Sequence, residues 1–140
     1  MPRRGIDHLR ARSAGAAGTL TSVVGVGLDL LRIDRLERAL ERRPALAARL
    51  FTAGERRYAA AQARPGQHLA ARFCAKEAVT KALRLDVLRP LEIEVLSGPG
   101  GVPELRLHGA VAAAAAAAAL TVDVSLTHEG DLASAVAVAA

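Results

Sequence analysis

From Gln67 to Leu85, just after the turn at Pro65-Gly66, runs the longest stretch of the chain with a helical pattern. Leu69, Phe73, Val79 and Leu83 make that helix mostly apolar, so the rest of the chain must be arranged around it. Ser22 to Leu31 is a β-prone run broken by Gly25 and Gly27, which predicts close backbone approach or a bulge. Apolar residues at 33, 36 and 40 predict a charged amphipathic helix over Arg32–Arg43. Pro44 interrupts it, and Ala45 to Phe51 forms another short helix. Thr52-Ala53-Gly54-Glu55 has the spacing of a capping box, so a further helix starts there. Leu91–Leu96 and Glu104–His108 alternate on either side of a Gly/Pro loop and predict a hairpin. An alanine run, Ala112–Ala119, reads as helix, and Leu120–His128 and Ala133–Ala139 as strands. The expected fold is α+β: a small, mainly antiparallel sheet with a long central helix, over residues 23–140. Residues 1–22, rich in Gly, Ala, Ser and Arg, are expected to form a flexible basic N-terminal extension.

Aromatic residues make up 2% of the 140, so the core has to be aliphatic. A single cysteine excludes an internal disulfide and fits a reducing, cytoplasmic setting. Cys74 itself is expected to be a small apolar helix residue, not a nucleophile. Neither the alanine run nor the N-terminus resembles a membrane span or a signal peptide. The net charge of +5 suits an acidic partner. Nucleic acid fits poorly, because stacking aromatics and finger or glycine–lysine loop motifs are lacking. A non-catalytic basic module that binds an acidic protein or nucleic acid is the competing reading.

Arginine supplies seventeen of the 19 basic side chains; the two lysines, Lys76 and Lys81, sit five residues apart on the long helix. Lysine is a compact donor whose proton affinity can be tuned, which arginine is not, so the pair points to chemistry needing an ammonium. Glu77 and Lys81 share a helix face, while Arg72, Lys76 and Thr80 form the neighbouring row. Taken alone, Glu77 and Lys81 read as an ordinary surface ion pair; the apolar helix around them and the placement of the lysines favour chemistry instead. Asp29 ends the glycine-containing strand and reads either as a helix cap or, with Glu77, as a ligand of a hard cation such as Mg²⁺. On the strand Val124–His128, Ser125 and Thr127 share one face, where hydroxyls can bind phosphate oxygens, and His128 takes the other.

In their order along the chain, GVGLDLL, ARFCAKEAVTKAL, GPGGVPELRLHG and VSLTH resemble the holo-acyl-carrier-protein synthase family of small bacterial phosphopantetheinyl transferases. The resemblance covers residues 23–140. It implies Mg²⁺-dependent transfer of 4′-phosphopantetheine from coenzyme A to a serine of an acyl carrier protein, in fatty-acid or polyketide synthesis. It further implies that Asp29 and Glu77 ligate the metal and that Glu77, directly or through a metal-bound water, helps deprotonate the serine. Lys81 would neutralise or protonate the leaving phosphate. Lys76 and Arg72 would bind phosphate, Ser125 and Thr127 would line the nucleotide pocket, and His128 would match the family's catalytic histidine. Arg35, Arg42 and Arg49 would receive the acidic recognition helix of the carrier. A homotrimer with coenzyme A between neighbouring subunits is implied as well, with neither membrane nor nucleic acid as partner. Two departures stand out: Asp123 where the family often has histidine, and a short segment, 84–90, after the long helix.

Overall fold

The structure, a computed structural model, describes residues 22–140. The expected N-terminal extension therefore lies outside the described residues, save for Ser22. Five strands and five helices follow in the order β1 (Gly25–Arg32), α1 (Ile33–Arg42), α2 (Leu46–Leu50), α3 (Ala53–Ala60), α4 (Pro65–Ala82), β2 (Ile93–Ser97), β3 (Pro103–Leu107), α5 (Gly109–Ala117), β4 (Val122–Glu129) and β5 (Leu132–Ala139). The expected single sheet is two: a three-stranded one in the order β1-β5-β4, and the hairpin β2-β3. Every pairing is antiparallel. No helix among the described residues is long and apolar enough to cross a membrane.

Helix α4 is the centre of the fold and lies against the inner face of the larger sheet. Gly25 and Gly27 make this possible. A Cβ on Gly25 would collide with the carbonyl oxygen of Ala82, and one on Gly27 with that of Ala78. The β1–β5 register runs unbroken from Gly25↔Ala139 to Arg32↔Leu132, so close approach, not a bulge, is what the glycines provide. On β5 the inner residues are Ala133, Ala135, Ala137 and Ala139, all buried, which continues the shallow cradle. The core is aliphatic as expected, with Ile33, Leu36, Val79, Ile93, Val95 and Val111 around one buried aromatic, Phe51.

Among the described residues nothing covers the opposite face of the same sheet. Its rows read Val26–Val138–Asp123, Leu28–Val136–Ser125 and Leu30–Ser134–Thr127 across β1, β5 and β4. One half is thus apolar and the other polar. Leu28 is 63% exposed there, and Val26 and Leu30 are similarly bare.

The capping box at Thr52 is formed: its hydroxyl accepts from the Glu55 N–H at 3.2 Å, and the Glu55 carboxylate accepts from the Thr52 N–H at 2.8 Å. Helix α4 stops at Ala82, earlier than expected. The Arg84 N–H donates to the Lys81 carbonyl and the Leu85 N–H to the Thr80 carbonyl, both at 3.0 Å, with Arg84 at φ 54°. That is a Schellman stop without its usual glycine. Helix α5 ends the same way at Ala119, also at φ 54°.

Candidate active site

Two separate clusters hold the chemistry-bearing side chains. The first lies at the β1 edge of the larger sheet. Asp29 shares the inner face of β1 with Gly25 and Gly27, which brings it against α4. The Lys81 ammonium donates to the Leu28 carbonyl at 2.8 Å and to Asp29 Oδ1 at 3.2 Å. Burial, then the nearby Asp29 charge, raises the Glu77 pKa above its ordinary value, with Lys81 opposing. Asp29, Glu77 and Arg35 line a cleft of about 350 Å³ whose walls include Leu36, Leu50 and Phe73. Asp29 is no helix cap: the residue before α1 is Arg32, with no side-chain cap bond.

Two carboxylates lining one cleft, one with its proton affinity raised by burial and then by the other's charge, are a donor set for a hard divalent cation. Mg²⁺ takes one or two carboxylates and completes its shell with phosphate oxygens and water. The described residues contain no cluster of three or more candidate ligands, so a dedicated all-protein cage is absent among them. Cys74 lies behind Asp29, fully buried, with its thiol toward the Ala133 carbonyl at 3.5 Å. Burial pushes that thiol up to about 12, which leaves it inert, as expected.

The second cluster lies at the other edge, around β4. Arg72 and Glu77 are five residues apart on α4 and so point about 140° apart. Arg72 is 5% exposed and stacks on the Tyr58 ring, 4.2 Å from its centroid. One terminal nitrogen donates to Ser97 Oγ at 3.1 Å and the other to the His68 carbonyl at 3.4 Å, while the buried Nε has no partner. No carboxylate pairs with it among the described residues. A buried guanidinium left uncompensated is a socket for an anion. Tyr58, His68, Arg72, Ser97, Thr127 and His128 line the adjoining cavity of about 190 Å³. Burial, then the charges of Arg72 and His128, lowers the His68 pKa, so its ring is neutral at neutral pH. His128 meets the side chain of Gln67 at the start of α4. Gln67 lies about 15 Å along the helix axis from Glu77.

Several sequence expectations are redirected by this geometry. Lys76 does not face a phosphate site. It is fully buried, and its ammonium donates to Glu55 Oε2 at 2.8 Å and to the carbonyls of Pro90 and Ile93 at 2.6 and 2.7 Å. All three N–H groups are used, so it has no proton left for a ligand. Ser125 and Thr127 do share a face opposite His128, but Ser125 points outward on the open face of the sheet, away from Arg72. Asp123 also faces outward, in a groove with Glu104 and Leu105. Leu85, Asp86, Val87 and Arg89 of the short segment line a small cavity with Ala110 and Val111, apart from both clusters. Arg35, Arg42 and Arg49 are exposed and make no ion pair among the described residues. Tyr58, His68 and Ser97 were missed by sequence reasoning; Tyr58 carried one faint signal, being the only tyrosine in the chain.

The 4′-phosphopantetheinyl transferase superfamily matches residues 25–137. The holo-[acyl-carrier-protein] synthase of Frankia casuarinae is 49% identical over 120 residues, which is 84% of this chain and 98% of that protein. A structure of Mycobacterium tuberculosis acyl carrier protein synthase superposes with a TM-score of 0.65 at 42% identity, over 85% of this chain and 98% of that one. An ACPS–CoA complex from Chronobacterium ammoniagenes gives a TM-score of 0.75 at 31% identity, over 85% and 97%. By sequence and by fold, the chain belongs to the holo-[acyl-carrier-protein] synthases of the 4′-phosphopantetheinyl transferase superfamily.

Proposed function

We propose that this chain transfers 4′-phosphopantetheine from coenzyme A to the serine hydroxyl of an apo acyl carrier protein, and that it does so as a homotrimer with each site shared by two neighbouring subunits. The observation that carries the reading is the division of the site between opposite edges of one sheet. Asp29, Glu77 and Lys81 stand at the β1 edge; Arg72, Thr127 and His128 stand at the β4 edge, two strand spacings or about 10 Å away. A β1 edge facing a neighbour's β4 edge is a heterologous contact, and such contacts form a ring where the rotation between subunits closes. The bare row Val26, Leu28 and Leu30 gives that ring an apolar surface to bury, and a sheet face this apolar is seldom left to water. Ser125, turned outward on β4, then faces the neighbour.

In this arrangement the Arg72 socket, with Thr127 and His128, holds the phosphates of coenzyme A. Glu77 accepts the serine proton, helped by the raised proton affinity that burial, and then the nearby Asp29 charge, gives it. Lys81, held at the site through Leu28 and Asp29, offsets the charge that develops on the departing phosphate. Asp29 and Glu77 would hold Mg²⁺, which when bound supplies charge neutralisation at the pyrophosphate. The carrier, an acidic protein, docks on Arg35, Arg42 and Arg49; Arg35 also lines the Glu77 cleft, so docking delivers the serine beside its base.

Intact-mass spectrometry of an apo carrier incubated with this protein, coenzyme A and Mg²⁺ tests the reading. A gain of one phosphopantetheine arm, lost in EDTA, is expected. A folded protein that binds carriers and leaves every one unmodified would instead support a basic binding module.

A further inference from the structure

We propose that the buried pair Glu55–Lys76 fixes the rotation of α4 and so aims Glu77 at Asp29, which makes both positioning residues for the transfer. The inference rests on the role given to Glu77 above.

The surfaces that bring α4 against the sheet are almost featureless. On the helix the buried residues are mostly small: Ala70, Ala71, Cys74, Ala75, Ala78 and Ala82. Opposite them are Gly25 and Gly27 on β1 and the four inward alanines of β5. Helix packing gains its register from side-chain ridges seated in grooves. Alanine against glycine allows close approach but offers shallow ridges, and such a contact resists turning or sliding poorly.

Direction comes from the far side of the helix. Lys76 and Glu55 are 0% and 1% exposed and 2.8 Å apart. The ammonium also reaches the Pro90 and Ile93 carbonyls, and Glu55 accepts from the Thr52 and Val95 N–H groups, each at 2.8 Å. The start of α3, the segment before β2, β2 itself and α4 thus meet at one point. Hydrogen bonds are strict in angle where apolar contacts are not, and setting register is the best-attested use of a buried ionic group. Glu77 is the next residue after Lys76, so a turn of α4 that moved Glu77 off Asp29 would also tear the ammonium from its three acceptors. Three acceptors around one nitrogen fit an ammonium and not a planar guanidinium. That accounts for a lysine here in a chain that otherwise uses arginine.

The test is the double variant Glu55→Gln/Lys76→Met, which removes both buried charges at nearly constant shape, assayed well below its unfolding midpoint. A kcat lower by between about tenfold and a hundredfold is expected, as for a misaimed reactive group, with KM for coenzyme A within about twofold. Lys76→Arg, which keeps the charge and loses the geometry, is expected not to restore kcat. A double variant with wild-type kcat, or with a change in KM alone, would overturn the proposal. Should the double variant not fold, Glu55→Gln alone is read by the same split. Wild-type protein in the same assay separates the two claims. If it leaves the carrier unmodified, the parent reading fails and this one with it. If it works while the variant is unimpaired, only this one fails.

Discussion

Lys76 and Lys81 lie on one helix, yet the first is sealed between Glu55 and two carbonyls while the second stands half exposed beside Asp29. Scarcity of lysine singled out both in the sequence. What it could not tell was which one stays open to solvent, because that depends on where Glu55, 21 residues away, lands in the fold. Asp29 was legible as a carboxylate projecting from the end of a glycine-containing strand; its alternative as a cap failed because the strand runs on to Arg32. Two predictions belong at this scale. Lys76→Met strands a buried carboxylate and should cost about 3–5 kcal/mol in a denaturant titration. Glu77 has its pKa raised in the fold, so the folded state is favoured while the group is protonated, and that advantage is lost as pH rises through the raised value. Glu77→Gln is spared the loss. It should melt at or above the wild-type temperature at pH 7, with the gap closing near pH 4, and should have no measurable turnover.

At the scale of elements, nearly every strand and helix was legible, since hydrophobic periodicity and the Thr52 box are local signals. The helix ends were not. Arg84 and Ala119 take the left-handed conformation usually marked by glycine, so the stop after Ala82 left no trace in the sequence. Ala119→Gly should therefore stabilise the protein by about 0.5–1 kcal/mol, read from the denaturant midpoint. The reverse holds at Gly27, whose missing Cβ admits the Ala78 carbonyl. Gly27→Ala should push α4 from β1 and cost about 1–3 kcal/mol, and it should lower turnover as well, because Asp29 and Glu77 meet across that contact.

For the whole molecule, the chain order disclosed the fold but not the division of the site. Alternation along β4 says that Ser125 and Thr127 share a face; it does not say that β4 and β1 end up as opposite edges with β5 between them. On the proposed reading, that separation is what makes the site need two subunits. Leu28→Lys, placed on the bare apolar row, should give a folded monomer in light scattering that no longer modifies the carrier.

Subunit mixing reaches the central claim most directly. Glu77→Gln disables the β1 edge and Arg72→Gln the β4 edge, so each protein alone should leave an apo carrier unmodified in the intact-mass assay. Refolded together, some interfaces would combine an intact β1 edge from one subunit with an intact β4 edge from another, and modification should return. A mixture as inactive as its parents, in oligomers shown to contain both chains, would contradict a site shared between subunits.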